Sequence, residues 1–212
     1  MEYKDLPDDY LKLIYDAMGK VGQQYCRIAS TESDEETFRE RVYCYELYHQ
    51  MRTLQKANET TPVYGESVQS PLIVINGEID KSGHRVISQN FNPDFVIHLQ
   101  GSMDKNICVV EVKNNFSKSG IAKDFGTITC MMNCYRYGYG LFVFVGDEVG
   151  KVKETIRNIF DNARRNRCVK LEENRYNDII VFLSRTAACA PEAYTLQEIL
   201  SEEHKNVHSN LH

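Results

Sequence analysis

Apolar residues recur at three- and four-residue spacing early in the chain. Leu11, Ile14, Tyr15, Met18 and Val21 predict an amphipathic helix between Asp8 and Ile28. A second helix is expected through Phe38, Val42, Tyr45, Tyr48 and Met51, with Thr31 or Ser33 as N-cap ahead of Glu35 and Glu36. Between Asn58 and Ser70 the pattern breaks at Thr60-Thr61-Pro62 and Gly65, which reads as a loop. The period then changes. Pro71-Leu72-Ile73-Val74-Ile75, the run Asp94 to Leu99, and the run Ile107 to Lys113 are short apolar strands. Turns are expected at Asp80-Lys81-Ser82-Gly83 and from Gly101 to Asn106, while Arg85 to Ser88 is a short strand or part of the connection. Joined by short turns, the three runs suit an antiparallel meander. A helix from about Ile121 to Tyr137 follows, then a buried strand from Tyr139 to Val145 and an amphipathic helix from Glu148 to Asn166. A strand from Asp178 to Leu183 and a helix from Tyr194 to Glu203 complete the pattern. The chain is therefore expected to be α/β, with a core of helix, three strands, helix and strand and helical additions at both ends.

Composition sets the scale of that fold. With 212 residues and 42% hydrophobic content, the chain can bury a sizeable core as one domain. The expected division is a helical extension over 1–30, a core over 31–146, a further helix, strand and helix over 147–203, and a tail over 204–212. Twenty-five Lys and Arg against 30 Asp and Glu leave a net charge of −5. That excludes a simple basic nucleic-acid coat protein but leaves room for a locally basic cleft. No apolar run approaches the roughly 20 residues that span a bilayer, and Met1-Glu2-Tyr3-Lys4-Asp5 is too polar for a signal peptide, so no membrane association and a cytoplasmic location are expected.

Seven cysteines without a Cys-x-x-Cys pair suit a reducing compartment and packed thiols. Cys130 and Cys134 lie four apart on an expected helix and could share a metal, but no neighbouring His or Cys pair completes a tetrahedral set. His204, His208 and His212 would stack on one helix face, in a polar terminal segment that reads as a frayed tail.

The polar residues that interrupt the central strands carry the chemistry. Asp94 opens one strand directly after Pro93, while Glu111 and Lys113 end the next and share a face by the period-two rule. A turn between the strands can bring Asp94 beside Glu111. Two adjacent carboxylates repel, and each is pushed toward protonation unless a cation lies between them. Mg2+ suits such oxygen donors and keeps several waters, with Mn2+ as its substitute. Lys113 could orient or deprotonate an attacking water, or neutralise charge developing on a phosphate. These parts suit hydrolysis of a phosphodiester.

Pro93-Asp94, the apolar strand that follows it, and Glu111-Val112-Lys113 at the end of the next strand resemble the PD-(D/E)xK nuclease superfamily, the restriction-endonuclease-like fold. The resemblance covers about residues 35 to 146, because that family's core is also a helix, a three-stranded meander, a helix and a strand. It implies that Asp94 and Glu111 hold the metal and that Lys113 assists the water. Many members add a glutamate from the helix before the meander. Glu46, in Tyr43-Cys44-Tyr45-Glu46-Leu47-Tyr48-His49-Gln50, is the candidate, with Glu78 and Asp80 as rivals. The resemblance also implies DNA rather than RNA as substrate. Lys118, Lys123 and Arg136, and Arg157, Arg164, Arg165 and Arg167, are candidate phosphate contacts. The rival expectation is a catalytically silent nucleic-acid or protein binding module of the same fold within a larger defence or repair complex. The aromatic N-terminal region, with Tyr3, Tyr10, Tyr15 and Tyr25 beside Leu6, Leu11 and Ile14, suggests a homodimer using the first helix.

Overall fold

The structure, a computed structural model, describes residues 1–29, 36–58, 71–75, 92–99, 105–161 and 171–202. The protein is α/β, built on an open, mixed, six-stranded sheet. The strands are β3 (Leu72–Ile75), β4 (Phe95–His98), β5 (Asn106–Lys113), β6 (Tyr139–Val145), β7 (Ile179–Ser184) and β8 (Glu192–Thr195), in that spatial order. β3, β4 and β5 form the expected antiparallel meander. β5, β6 and β7 are parallel, and β8 closes the other edge antiparallel to β7. Every residue of β7, and all of β6 after Tyr139, is buried. That is why these strands read as continuous apolar runs rather than alternating ones.

Helices cover both faces. On one face, α1 (Asp9–Met18) and α2 (Glu40–Asn58) lay Leu11, Ile14, Tyr43, Cys44, Leu47 and Met51 on Phe95, Val110, Val112 and Leu141. On the other, α3 (Lys118–Cys134), α4 (Val149–Asp161) and α5 (Leu196–Ser201) pack Ile121, Phe125, Ile128, Val152, Ile156 and Leu196 on Val96, Val109, Phe142 and Val181. α3 follows β5 and leads to the parallel β6, the crossover that a parallel pair requires. It lies so close to β6 that a Cβ at Gly140 would collide with the Ile128 and Met132 side chains.

Several boundaries differ from the expectation. The first helix stops at Met18, where Gly19 caps it, and the chain continues as a 3₁₀ turn at Gln23–Tyr25 and β1 (Arg27–Ala29). β1 pairs with β2 (Glu36–Phe38), so Phe38 belongs to a two-stranded ribbon and α2 begins only at Glu40. Tyr194 lies in β8, and the last helix starts at Leu196, capped by Thr195 in a reciprocal box with Glu198. Thr31, Ser33, the segment 85–88, and His204, His208 and His212 lie outside the described residues. Among the described residues, no helix is long and apolar enough to cross a membrane.

The N-terminal apolar residues are used within the chain. Leu6, Leu11 and Ile14 are at most 3% exposed in the core, and Tyr10 and Tyr15 pack partly against it. Tyr3 and Tyr25 remain exposed. The surplus apolar surface from which a homodimer was expected is therefore largely taken up by the fold itself.

Candidate active site

The site forms where β5 ends and β4 begins. Phe95 lies opposite Val110, so the antiparallel register carries Asp94 opposite Glu111. Val96 and Val109 face α3. Alternation along each strand then turns Asp94, Glu111 and Lys113 to that same face. Asp94 Oδ2 accepts the Val112 backbone N–H at 2.7 Å, which fixes the carboxyl at the strand end. The Asp94 carboxyl is in hydrogen-bonding contact with that of Glu111. Two carboxyls can meet in this way only with a proton, or a cation in its place, between them.

The neighbouring helices complete the cluster. Lys113 Nζ lies 3.1 Å from Glu40 Oε2, at the first residue of α2, and 3.3 Å from Asp124 Oδ2 on α3. The Glu40 contact is a hydrogen bond, whereas the Asp124 contact is an ion pair without hydrogen-bond geometry. Thr127, one turn after Asp124, donates its hydroxyl to the Lys123 carbonyl at 3.3 Å and lies close enough to Glu111 to favour its charged form. Ser117 caps α3 by accepting the Gly120 N–H at 3.1 Å, and the Lys113 Cε lies 3.6 Å from the position a Cβ on Gly120 would take. The first turn of α3 thus runs along the lysine stem.

Four carboxyl groups, Glu40, Asp94, Glu111 and Asp124, surround the Lys113 ammonium. Burial is the chief cause that raises Glu111 well above the ordinary carboxyl range, and the Asp124 and Asp94 charges add to it. Asp94 is raised by burial and by Glu40, partly offset by the Val112 N–H. Burial likewise pushes Asp124 up to about 6, against the pull of Lys113. Burial alone would lower Lys113, but Asp124 and Glu40 outweigh it and hold the ammonium above its usual range. Among the described residues, the cluster therefore sets four carboxyls against one ammonium, and burial favours keeping protons on them.

The structure brings Asp94, Glu111 and Lys113 together and leaves Glu46 outside their contacts. α2 turns Cys44, Leu47 and Met51 into the core, and Glu40, one turn before Cys44, continues that line over the sheet end. Glu46 lies two residues past Cys44, about 200° around the helix. It accepts a hydrogen bond from Gln50 at 2.7 Å. The glutamate that α2 supplies to the cluster is thus Glu40, which the sequence reading missed, as it missed Asp124. An acid set among Ile121, Phe125 and Ile128 at helical spacing was the available signal for Asp124. Glu78 and Asp80 lie outside the described residues, as do Arg164, Arg165 and Arg167.

Of the basic candidates, Lys118 and Lys123 are exposed on α3, Lys118 at its first residue. Arg136 lies just past the opposite end of α3, and Arg157 is bound internally to Glu202 and the Ile199 carbonyl. Cys130 and Cys134 are half-buried with their sulfurs 3.9 Å apart.

No protein-family model, curated protein or solved structure matches the chain.

Among the described residues, no group of three His, Cys, Asp or Glu is placed to hold a metal ion. The Asp94 and Glu111 pair nonetheless fits a hard divalent cation by donor chemistry. Mg2+ commonly takes one or two protein carboxylates and fills its remaining positions with water and substrate oxygens. The close approach of two buried carboxyls, each pushed toward protonation, is what such a cation would relieve by taking the place of the proton.

Proposed function

We propose that the chain is a metal-dependent nuclease that hydrolyses phosphodiester bonds, acting on DNA in preference to RNA. The observation that carries this reading is the contact between the Asp94 and Glu111 carboxyls, with Lys113 two residues further along the same strand. Mg2+ or Mn2+ held by these two carboxylates would supply Lewis acidity toward a phosphate and its attacking water. The chain's own residues do the rest. Asp94, pinned by the Val112 N–H, and Glu111, opposite it in the strand register, keep fixed positions at the strand ends. Lys113, flanked by Glu40 and Asp124, stays an ammonium at neutral pH, so it donates to a phosphoryl oxygen and stabilises developing charge rather than acting as base. Lys118 offers a further phosphate contact at the start of α3. The resemblance of Pro93-Asp94 and Glu111-Val112-Lys113 to the PD-(D/E)xK superfamily supports the reaction class and alone suggests DNA.

The test is cleavage by the purified full chain of duplex DNA, single-stranded DNA and RNA, with and without Mg2+ or Mn2+. Cleavage should require the metal. Asp94→Ala, Glu111→Ala and Lys113→Ala should each lower kcat by about 10³-fold or more, a loss of about 4 kcal/mol of transition-state stabilisation, with unchanged circular dichroism. A Glu111→Ala protein that cleaves like the wild type contradicts the assignment. A wild type inert on all three substrates contradicts the activity.

A further inference from the structure

We propose that Asp124 is the positioning residue of this centre: with Glu40 it fixes the Lys113 ammonium at the strand ends beside Glu111. The consequence for catalysis rests on the nuclease reading, whereas the contact itself does not. Asp124 belongs to no part of the Pro-Asp and Glu-x-Lys pattern. It lies on the apolar face of α3, where it is 2% exposed and its neighbours Ile121, Phe125 and Ile128 are 0% exposed. A carboxylate in such surroundings is costly unless paired, and its ion-pair partner is Lys113 Nζ at 3.3 Å. Lys113 is in turn held from two sides. Glu40 reaches it from α2 on one face of the sheet, and Asp124 from α3 on the other.

A lysine head sits on a flexible four-carbon stem, so one partner leaves it several positions. Two partners on separate helices, with the first turn of α3 along the stem, leave it one. Thr127, whose hydroxyl donates to the Lys123 carbonyl at 3.3 Å, lies beside Glu111, so the same helix borders both charged groups that end β5. A fixed charge is what stabilisation of a transition state requires, because no rearrangement then accompanies the reaction. Displacement of such a group by about 1 Å can cost on the order of 100-fold in rate.

The test compares wild type with Asp124→Asn, which keeps shape and removes charge, and with Asp124→Glu and Glu40→Gln. Limited acylation by an N-hydroxysuccinimide ester, mapped by peptide mass spectrometry, reads the accessibility of Lys113 without reference to activity. Kinetics on DNA and calorimetric Mn2+ titration are run on the same preparations. In Asp124→Asn, Lys113 should acylate several-fold faster while the other lysines are unchanged. Its kcat should fall about 10- to 100-fold, with KM and Mn2+ affinity little altered, and Asp124→Glu should recover part of both losses. If Asp124→Asn does not fold, Asp124→Glu and Glu40→Gln must still show faster Lys113 acylation together with lower kcat. Unchanged Lys113 reactivity in the folded variants overturns the proposal. Released Lys113 with unchanged kcat also overturns it, since the pair would then be structural only. A wild type inert on nucleic acid, with Lys113 released in Asp124→Asn, supports the positioning and overturns only the nuclease reading.

Discussion

Asp94, Glu111 and Asp124 are costly residues to bury, and the cost is visible in the upward push on all three carboxyls. Asp94, Glu111 and Lys113 were legible in the sequence because each interrupts or ends an apolar strand, where a charge is out of place without a task. Glu40 and Asp124 were not. Glu40 is one of several acids near a helix start, and its reach to Lys113 depends on where α2 begins, which pairing of β1 with β2 decides. Glu46 looked apt because aromatic residues surround it, but the inward line of α2 runs through Cys44, Leu47 and Met51 and turns Glu46 aside. The two glutamates should therefore respond differently. Glu40→Gln removes a partly exposed ion pair worth about 0.2–1 kcal/mol and loosens Lys113, so kcat should fall about three- to tenfold. Glu46→Gln should leave kcat within about twofold. Steady-state cleavage rates decide, and an equal or larger loss in Glu46→Gln would return the role to that residue.

At the scale of elements, strands were easier to read than helix ends. β6 and β7 are apolar throughout because helices cover both of their faces, and their limits followed from the sequence almost residue for residue. The helix ends shifted for local reasons. Gly19 stops α1, and Thr195-Leu196-Gln197-Glu198 is a capping box that starts α5 two residues later than apolar spacing implied. The ribbon of β1 with β2 left no periodic signal, since three residues per strand are too few to show one. The packing of α3 depends on one position the pattern could not reveal. Gly140 lets Ile128 and Met132 sit directly on β6, and any Cβ there would push α3 outward. Gly140→Ala should cost about 1–3 kcal/mol by overpacking. It should also lower kcat, because α3 carries Asp124 and Thr127. Thermal unfolding and cleavage rates measured together check this, and an unchanged Tm would show that α3 does not rest on β6 as described.

At the scale of the molecule, both helical layers converge on the end of the sheet where charge is unbalanced. Asp124 has a folded value of about 6 against 3.8 for an ordinary aspartate, and Glu111 and Asp94 are raised as well. The folded state therefore holds protons that the unfolded chain releases. A group raised in this way gives its full stability below its unfolded value and loses it as pH rises through the folded one. Metal-free protein should thus become less stable between about pH 4 and pH 7, with Asp124 alone contributing on the order of 1–3 kcal/mol. Scanning calorimetry should find a Tm several degrees higher at about pH 5 than at about pH 7.5. Mn2+ should narrow that gap by stabilising the protein at the higher pH. A metal-free Tm that rises across this range would contradict the charge arrangement.

Joint binding of a divalent cation by Asp94 and Glu111 can be read by calorimetric titration of Mn2+ into the chelator-treated protein near neutral pH, alongside Asp94→Asn, Glu111→Gln and Glu46→Gln. The wild type should bind Mn2+, with affinity at least about tenfold weaker in Asp94→Asn and in Glu111→Gln and unchanged in Glu46→Gln. Absence of binding to the wild type, or undiminished binding to Glu111→Gln, would contradict it.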